Sequence, residues 1–195
     1  SAYAQDTWHV TPGVTLTYGV RWDANPAPFD GEGRRPFVMR GVDDPATARV
    51  TPLPEGEPLY RTRWWNFAPR LGASYQLAER RPGWATVLRG GTGIFYDLGN
   101  AATLWAFDRN PPFVSNVLRF NVPYPLSAAD AAAPPLMPAP GTPLSITAID
   151  PNLRLPYTWQ WNAAVAQSLG PHQMLTATYV GAAGRNLLQR QYYAQ

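Results

Sequence analysis

Apolar and polar residues alternate with a period of two along six stretches of this chain. In the longest, Trp65, Phe67, Pro69, Leu71, Ala73, Tyr75 and Leu77 are apolar, while Asn66, Ala68, Arg70, Gly72, Ser74 and Gln76 are small or polar. A period of two places successive residues on opposite faces of a strand, so this stretch predicts a strand with two unlike faces. Arg80-Arg81-Pro82-Gly83 predicts a tight turn. In the return arm Leu88, Ile94 and Tyr96 are apolar, and Gly90, Gly91 and Gly93 thin the pattern. The cleanest alternation sets Val14, Leu16, Tyr18, Val20 and Trp22 against Thr15, Thr17, Gly19, Arg21 and Asp23. From Tyr157, a face carrying Trp159, Trp161, Ala163 and Val165 opposes one carrying Thr158, Gln160, Asn162 and Ala164. Strands are therefore expected at about 1–10, 14–23, 65–79, 84–97, 157–169 and 173–183.

The connections between these strands alternate strictly in length. Turns at 11–13, 80–83 and 170–172 are short, whereas 24–63 and 98–156 lack a sustained period and predict two long loops. Of the 22 prolines, 18 lie in those two loops. A short helix is expected near 127–133, where Ser127 could cap it. Soluble sheets use strands of about 5–6 residues, and a tilted strand crossing an outer membrane needs roughly 9–11. The fold class predicted is all-β: an antiparallel transmembrane β-barrel segment of about six long strands, with short periplasmic turns and two long extracellular loops.

Composition narrows the picture further. Only 15% of the residues are charged, all sixteen basic ones are arginine, and there is no cysteine. Neither a disulfide framework nor a thiolate metal site is possible, and no run of like charge marks a nucleic-acid surface. No stretch of about 18 apolar residues occurs, which excludes a helical span but not a barrel. Trp8 and Trp84 sit beside short turns, and Trp22, Trp65, Trp159 and Trp161 sit where strands meet long loops. These tryptophans predict aromatic belts at the two membrane–water interfaces; in a β-sandwich they would be core residues instead. If the apolar faces meet lipid, Arg21, Asn66, Arg70, Arg89, Gln160 and Asn162 face the lumen. Arginine at the midplane of the lipid face costs about 2–4 kcal/mol, which argues for that orientation.

Candidate catalytic groups do not converge. His9 and His172 each lie beside a turn without ligand-spaced neighbours, and Ser74 and Ser145 lack a nucleophile-elbow context. The Gly90-Gly91-Thr92-Gly93 run has no following lysine and opens no helix, so it reads as strand glycine rather than a phosphate loop. Asp43-Asp44 and Glu55/Glu57 read as solvated loop charge. No cofactor or metal is expected. Loops on a rigid scaffold are where ligands are captured, and Arg34, Arg35, Trp105, Phe107 and Arg109 are the candidate loop contacts.

Several ordered segments carry a family resemblance. Y-A-Q-D-T-W-H-V-T-P-G-V-T-L-T-Y-G-V-R-W (3–22), N-F-A-P-R-L-G-A-S-Y (66–75), V-L-R-G-G-T-G-I-F-Y-D (87–97), D-P-N-L-R-L-P-Y-T-W-Q-W-N (150–162) and Y-V-G-A-A-G-R-N-L (179–187) resemble successive parts of TonB-dependent outer-membrane receptors of the Oar-like group. The resemblance implies an internal piece of a larger barrel. A plug domain and a TonB-contacting segment would lie in a missing N-terminal region, and two sheet edges would be left open. It also implies uptake of an unidentified large solute, with outer-membrane lipid, the plug and TonB as partners and no catalysis. A passive porin or adhesin barrel, or a soluble all-β binding domain, are the alternatives.

Overall fold

The computed structural model describes residues 1–195 except 42, 43, 45, 80, 99–100, 116–119, 137–145 and 190–195, together with the side chains of 101–102. The elements in order are β1 (Ala2–Thr11), β2 (Val14–Asp23), β3 (Phe37–Arg40), β4 (Arg49–Pro52), β5 (Asn66–Gln76), β6 (Thr86–Tyr96), α1 (Ala101–Asp108), α2 (Ala128–Ala131), β7 (Tyr157–Ser168) and β8 (Met174–Arg185). The chain forms two compact units. The first comprises Ser1–Asn25, Arg63–Leu98 and Arg154–Arg190; the second contains Pro26–Thr62 and Gly99–Leu153.

The first unit is one antiparallel sheet in the order β1-β2-β5-β6-β7-β8. It is not closed: β1 and β8 are its edges. Strands of 10–12 residues measure roughly 33–40 Å, and at a tilt of about 40° they span roughly 25–30 Å, the height of an outer-membrane apolar band. The short connections lie side by side at one end. Gln76 donates its N–H to the carbonyl of Gly13 at 2.7 Å, and Gly170 donates to that of Gly83 at 3.0 Å. The two long segments leave the sheet from its other end. Pro69 has no N–H to give, yet it lies in an inner strand. The β5–β6 ladder begins one residue later, at Arg70↔Gly93, so the ladder does not ask Pro69 to donate.

The register gives the sheet two distinct faces, because residues directly opposite share a face. Leu16↔Ala73, Tyr18↔Leu71 and Val20↔Pro69 join β2 to β5 on the apolar face. Leu88↔Val165 and Ile94↔Trp159 continue it from β6 to β7. Large residues of this face stay exposed: Leu71 is 54% exposed and Trp159 49%. A soluble sheet would bury such a face against another layer, because large exposed apolar patches are rare on soluble monomers. The expectation of a soluble domain, that the six strands bury their apolar faces on each other, fails because all six lie in one layer.

The second unit has a core of its own, in Val38, Leu53, Leu59, Tyr60, Ala106 and Leu153. Here the structure corrects the expectation of featureless loops. Residues 24–63 contain the β3–β4 hairpin, paired from Phe37↔Pro52 to Arg40↔Arg49, and residues 98–156 contain α1. Four-residue strands are too short to show a period of two. The run Ala-Ala-Thr-Leu-Trp-Ala-Phe-Asp is apolar around most of a helix, so no stripe stands out. The helix expected near 127–133 is α2, with the Ser127 hydroxyl accepting from the Asp130 N–H at 3.1 Å as its N-cap.

Candidate functional site

Two places in the chain gather the candidate side chains: the polar face of the sheet and the core-bearing unit built from the long loops. The six residues expected in the lumen share one face. Arg21 lies opposite Ala68 and Asp23 opposite Asn66. Arg70 lies opposite both Gly19 and Gly93, and Arg89 opposite both Ser74 and Ala164. Asn162 faces Gly91, and Gln160 faces Gly93. The weak alternation of β6 leaves Arg89 ambiguous in sequence; its pairing with Ser74 puts it on the same face as Arg70, four residues further along β5.

The contacts within this face are few and specific. Arg21 Nε donates to both carboxylate oxygens of Asp23 at 3.0 Å, and Asp23 is almost fully buried. Asn66 Nδ2 donates to the carbonyls of Asp23 at 3.0 Å and Arg63 at 2.7 Å, tying the end of β2 to the start of β5. The Arg70 guanidinium stands 4.5 Å over the Phe95 ring. Gly93 makes room for it: a Cβ there would come within 3.0 Å of Arg70 Cγ and 3.3 Å of the Phe95 ring. Among the described residues Arg70 and Arg89 have no carboxylate partner.

On the opposite face the tryptophans form contacts of their own. Trp22 stacks on Trp64 with centroids 6.2 Å apart and donates its indole N–H to the Trp64 carbonyl. Trp159 and Trp161 meet at 5.1 Å, and Trp159 Nε1 donates to Thr92 Oγ1 at 2.7 Å. Trp161 lies across Gly181 of β8, where any Cβ would collide with the indole. Trp8 lies opposite Leu16, toward the short-turn end, and Trp84 follows the 81–83 turn, its N–H donating to Glu79 Oε1 at 3.2 Å. Trp65 precedes β5, which begins at Asn66, and is 85% exposed.

In the loop unit, the five expected contacts separate into two groups. Asp30 organises the 30–34 turn, accepting from the N–H groups of Glu32 and Arg34 at 3.1 and 3.0 Å. Arg34 closes the turn with an ion pair to Asp30 at 3.2 Å and another to Glu32 at 3.3 Å, and it lies 5.2 Å over the Phe113 ring. The hydrogen bonds from Arg34 hold the Asp30 carboxyl below its ordinary range. Arg109 stacks on Trp105 at 4.6 Å, and neither lines the cavity of this unit. Arg34, Arg35 and Phe107 do line it. Sequence reasoning missed Leu53, Leu59 and Pro36, which also line it; no local signal marks them, because they converge only through tertiary packing.

A buried amide fixes the frame of this unit. Asn110 is 1% exposed. Its Nδ2 donates to the carbonyls of Phe37, Ala106 and Thr147 at 3.0, 2.9 and 2.8 Å, and its Oδ1 accepts from the Thr147 N–H at 2.9 Å. Tyr60 donates its hydroxyl to the Pro26 carbonyl at 3.0 Å, and burial raises its pKa. Glu57 is held by Arg40 at 2.5 Å, so it is paired rather than free loop charge. Asp43 and Ser145 lie outside the described residues. Among the described residues no group of three His, Asp or Glu side chains could hold a metal, and no helix is long and apolar enough to cross a membrane.

A sheet with one uncovered apolar face and one arginine-bearing face is suited to stand between lipid and a polar interior. No curated protein and no solved structure matches the chain. The family model described as the outer membrane beta barrel domain matches residues 1–195. The match spans the whole chain, which therefore belongs to the outer membrane beta barrel domain family and resides in the outer membrane.

Proposed function

We propose that this barrel wall belongs to a TonB-dependent receptor of the Oar-like kind, which takes up a large solute and carries out no catalysis. One observation carries the reading: the segments that resemble those receptors are the ones that furnish the polar face. Arg70 comes from N-F-A-P-R-L-G-A-S-Y, Arg89, Gly91 and Gly93 from V-L-R-G-G-T-G-I-F-Y-D, and Gln160 and Asn162 from the segment ending T-W-Q-W-N. In such a receptor this face is the lumen wall and meets a plug. Arg70 and Arg89, without a carboxylate partner among the described residues, suit plug carboxylates, and the Gly72–Gly91 pair between them leaves space for its backbone. Trp8, Trp22, Trp65, Trp84, Trp159 and Trp161 would anchor the wall at the two interfaces. The loop unit, with its own core and cavity, is the surface for solute capture.

The test uses the native protein extracted from outer membranes. It should be retained by the purified periplasmic domain of TonB and should stay electrically silent in a planar bilayer, because a plug blocks the lumen. A steady open conductance without retention by TonB would overturn the reading in favour of a passive porin.

A further inference from the structure

The cavity of the loop unit has a volume of about 330 Å³ and an uneven use of charge. Its floor is apolar, built from Pro36, Leu53, Leu59 and Phe107. Most of the charges around it are already neutralised. Arg34 is shared between Asp30 and Glu32, and Glu57 is paired with Arg40. Two lining charges are left over. Arg35 and Glu55 make neither an ion pair nor a side-chain hydrogen bond among the described residues. A guanidinium free to take a carboxylate in a two-pronged fashion thus shares the rim of an apolar cavity with a carboxylate free to take an ammonium.

We infer that this cavity binds a zwitterion bearing an apolar side chain, of about the bulk of a free dipeptide. The ligand carboxylate lies on Arg35, its ammonium against Glu55, and its side chain over Leu53, Leu59 and Phe107. The other charge classes fit worse. A simple anion would satisfy Arg35 but meet Glu55, a simple cation would do the reverse, and a neutral apolar ligand would strip water from both without replacing it. The volume is at the small end for ligand cavities, which bounds the recognised group to one or two residues' bulk. This deepens the receptor reading and rests on it for the role of the loop unit as capture surface.

Calorimetry on the native protein in detergent tests it, with Leu-Phe, N-acetyl-Leu-Phe and Leu-Phe amide as probes against the wild type, Arg35→Ala and Glu55→Gln. Leu-Phe should bind the wild type, and blocking either end should weaken binding at least about ten-fold, the scale of one charge-assisted contact. Arg35→Ala should lose the distinction between acid and amide while still preferring the free amine. Glu55→Gln, which keeps the side chain's shape, should show the opposite pattern. No binding of Leu-Phe to the wild type, or undiminished wild-type affinity for Leu-Phe in both variants, overturns the inference. Retention by the TonB domain is read on the same preparation. Retention without Leu-Phe binding sinks the cavity assignment alone, whereas Leu-Phe binding without retention sinks the receptor reading and leaves the cavity standing.

Discussion

Replacing Asn110 separates the two jobs of its amide. The Nδ2 group serves three carbonyls and the Oδ1 atom serves one N–H, all inside the loop unit. Asn110→Ala leaves those four groups without their side-chain partner. A buried polar group left unsatisfied costs about 1–3 kcal/mol. The sum is an upper bound because water enters the space vacated by the amide, so a loss of about 3–5 kcal/mol is expected. Asn110→Asp is nearly the same size but should be worse. The carboxylate still accepts from Thr147, but its second oxygen faces the carbonyls of Phe37, Ala106 and Thr147, and a charge is buried without a partner. Hydrogen exchange gives the readout. The N–H of Phe37, bonded to the Pro111 carbonyl at 2.8 Å, and that of Leu53, bonded to the Pro36 carbonyl at 2.9 Å, report on the loop unit. The amides of β5 and β6 serve as an internal reference. Protection at Phe37 and Leu53 should fall in the order wild type, Ala, Asp. An Asp variant as protected as the wild type would refute the assignment of Nδ2 as a buried donor hub.

Three further outcomes follow from the geometry. Leu71→Arg, on the apolar face at mid-strand, should lower folding stability in lipid vesicles by about 2–4 kcal/mol, whereas Thr17→Arg on the polar face should cost about 1 kcal/mol or less; urea titration of the refolded barrel distinguishes them. Gly181→Ala should cost about 1–3 kcal/mol by pushing the Trp161 ring off β8. Most of that cost should vanish in a Trp161→Ala background, as a double-mutant cycle would show. The pH dependence of the 30–34 turn has a definite sign. The Asp30 carboxyl is held below its unfolded value by Arg34, so its stabilisation is complete above about pH 3.9 and is lost as the pH falls below that. Proteolysis of the turn should therefore be unchanged between pH 7 and 5 and should rise only under stronger acid.

The parts of the structure legible in the sequence are those governed by local periodicity. The faces of β2 and β5 follow from residues such as Tyr18 and Leu71, because one residue of slip would turn every side chain over. The ends of strands were less legible: β5 stops at Gln76 and β8 continues to Arg185, since pairing with a neighbour rather than composition sets where a strand ends. Arg89 shows a further limit. Glycines at 90, 91 and 93 erase the alternation around it, and only the partners Ser74 and Ala164 assign its face. In the loop unit, Arg34 and Arg35 look alike as adjacent arginines. Both line the cavity, but Asp30 and Glu32 engage the first and leave the second without an ion pair among the described residues, a difference that depends on the fold of the turn.

The claim that the two faces of the sheet meet different surroundings is tested most directly by fluorophores placed along β5. The chain has no cysteine, so single cysteines at 71, 72, 73, 74 and 75 can each be labelled and the native protein returned to vesicles holding lipid-borne nitroxide quenchers. The account predicts quenching at 71, 73 and 75 and little at 72 and 74, a period of two in phase with the apolar face. Uniform quenching, uniform protection, or the opposite phase would contradict it.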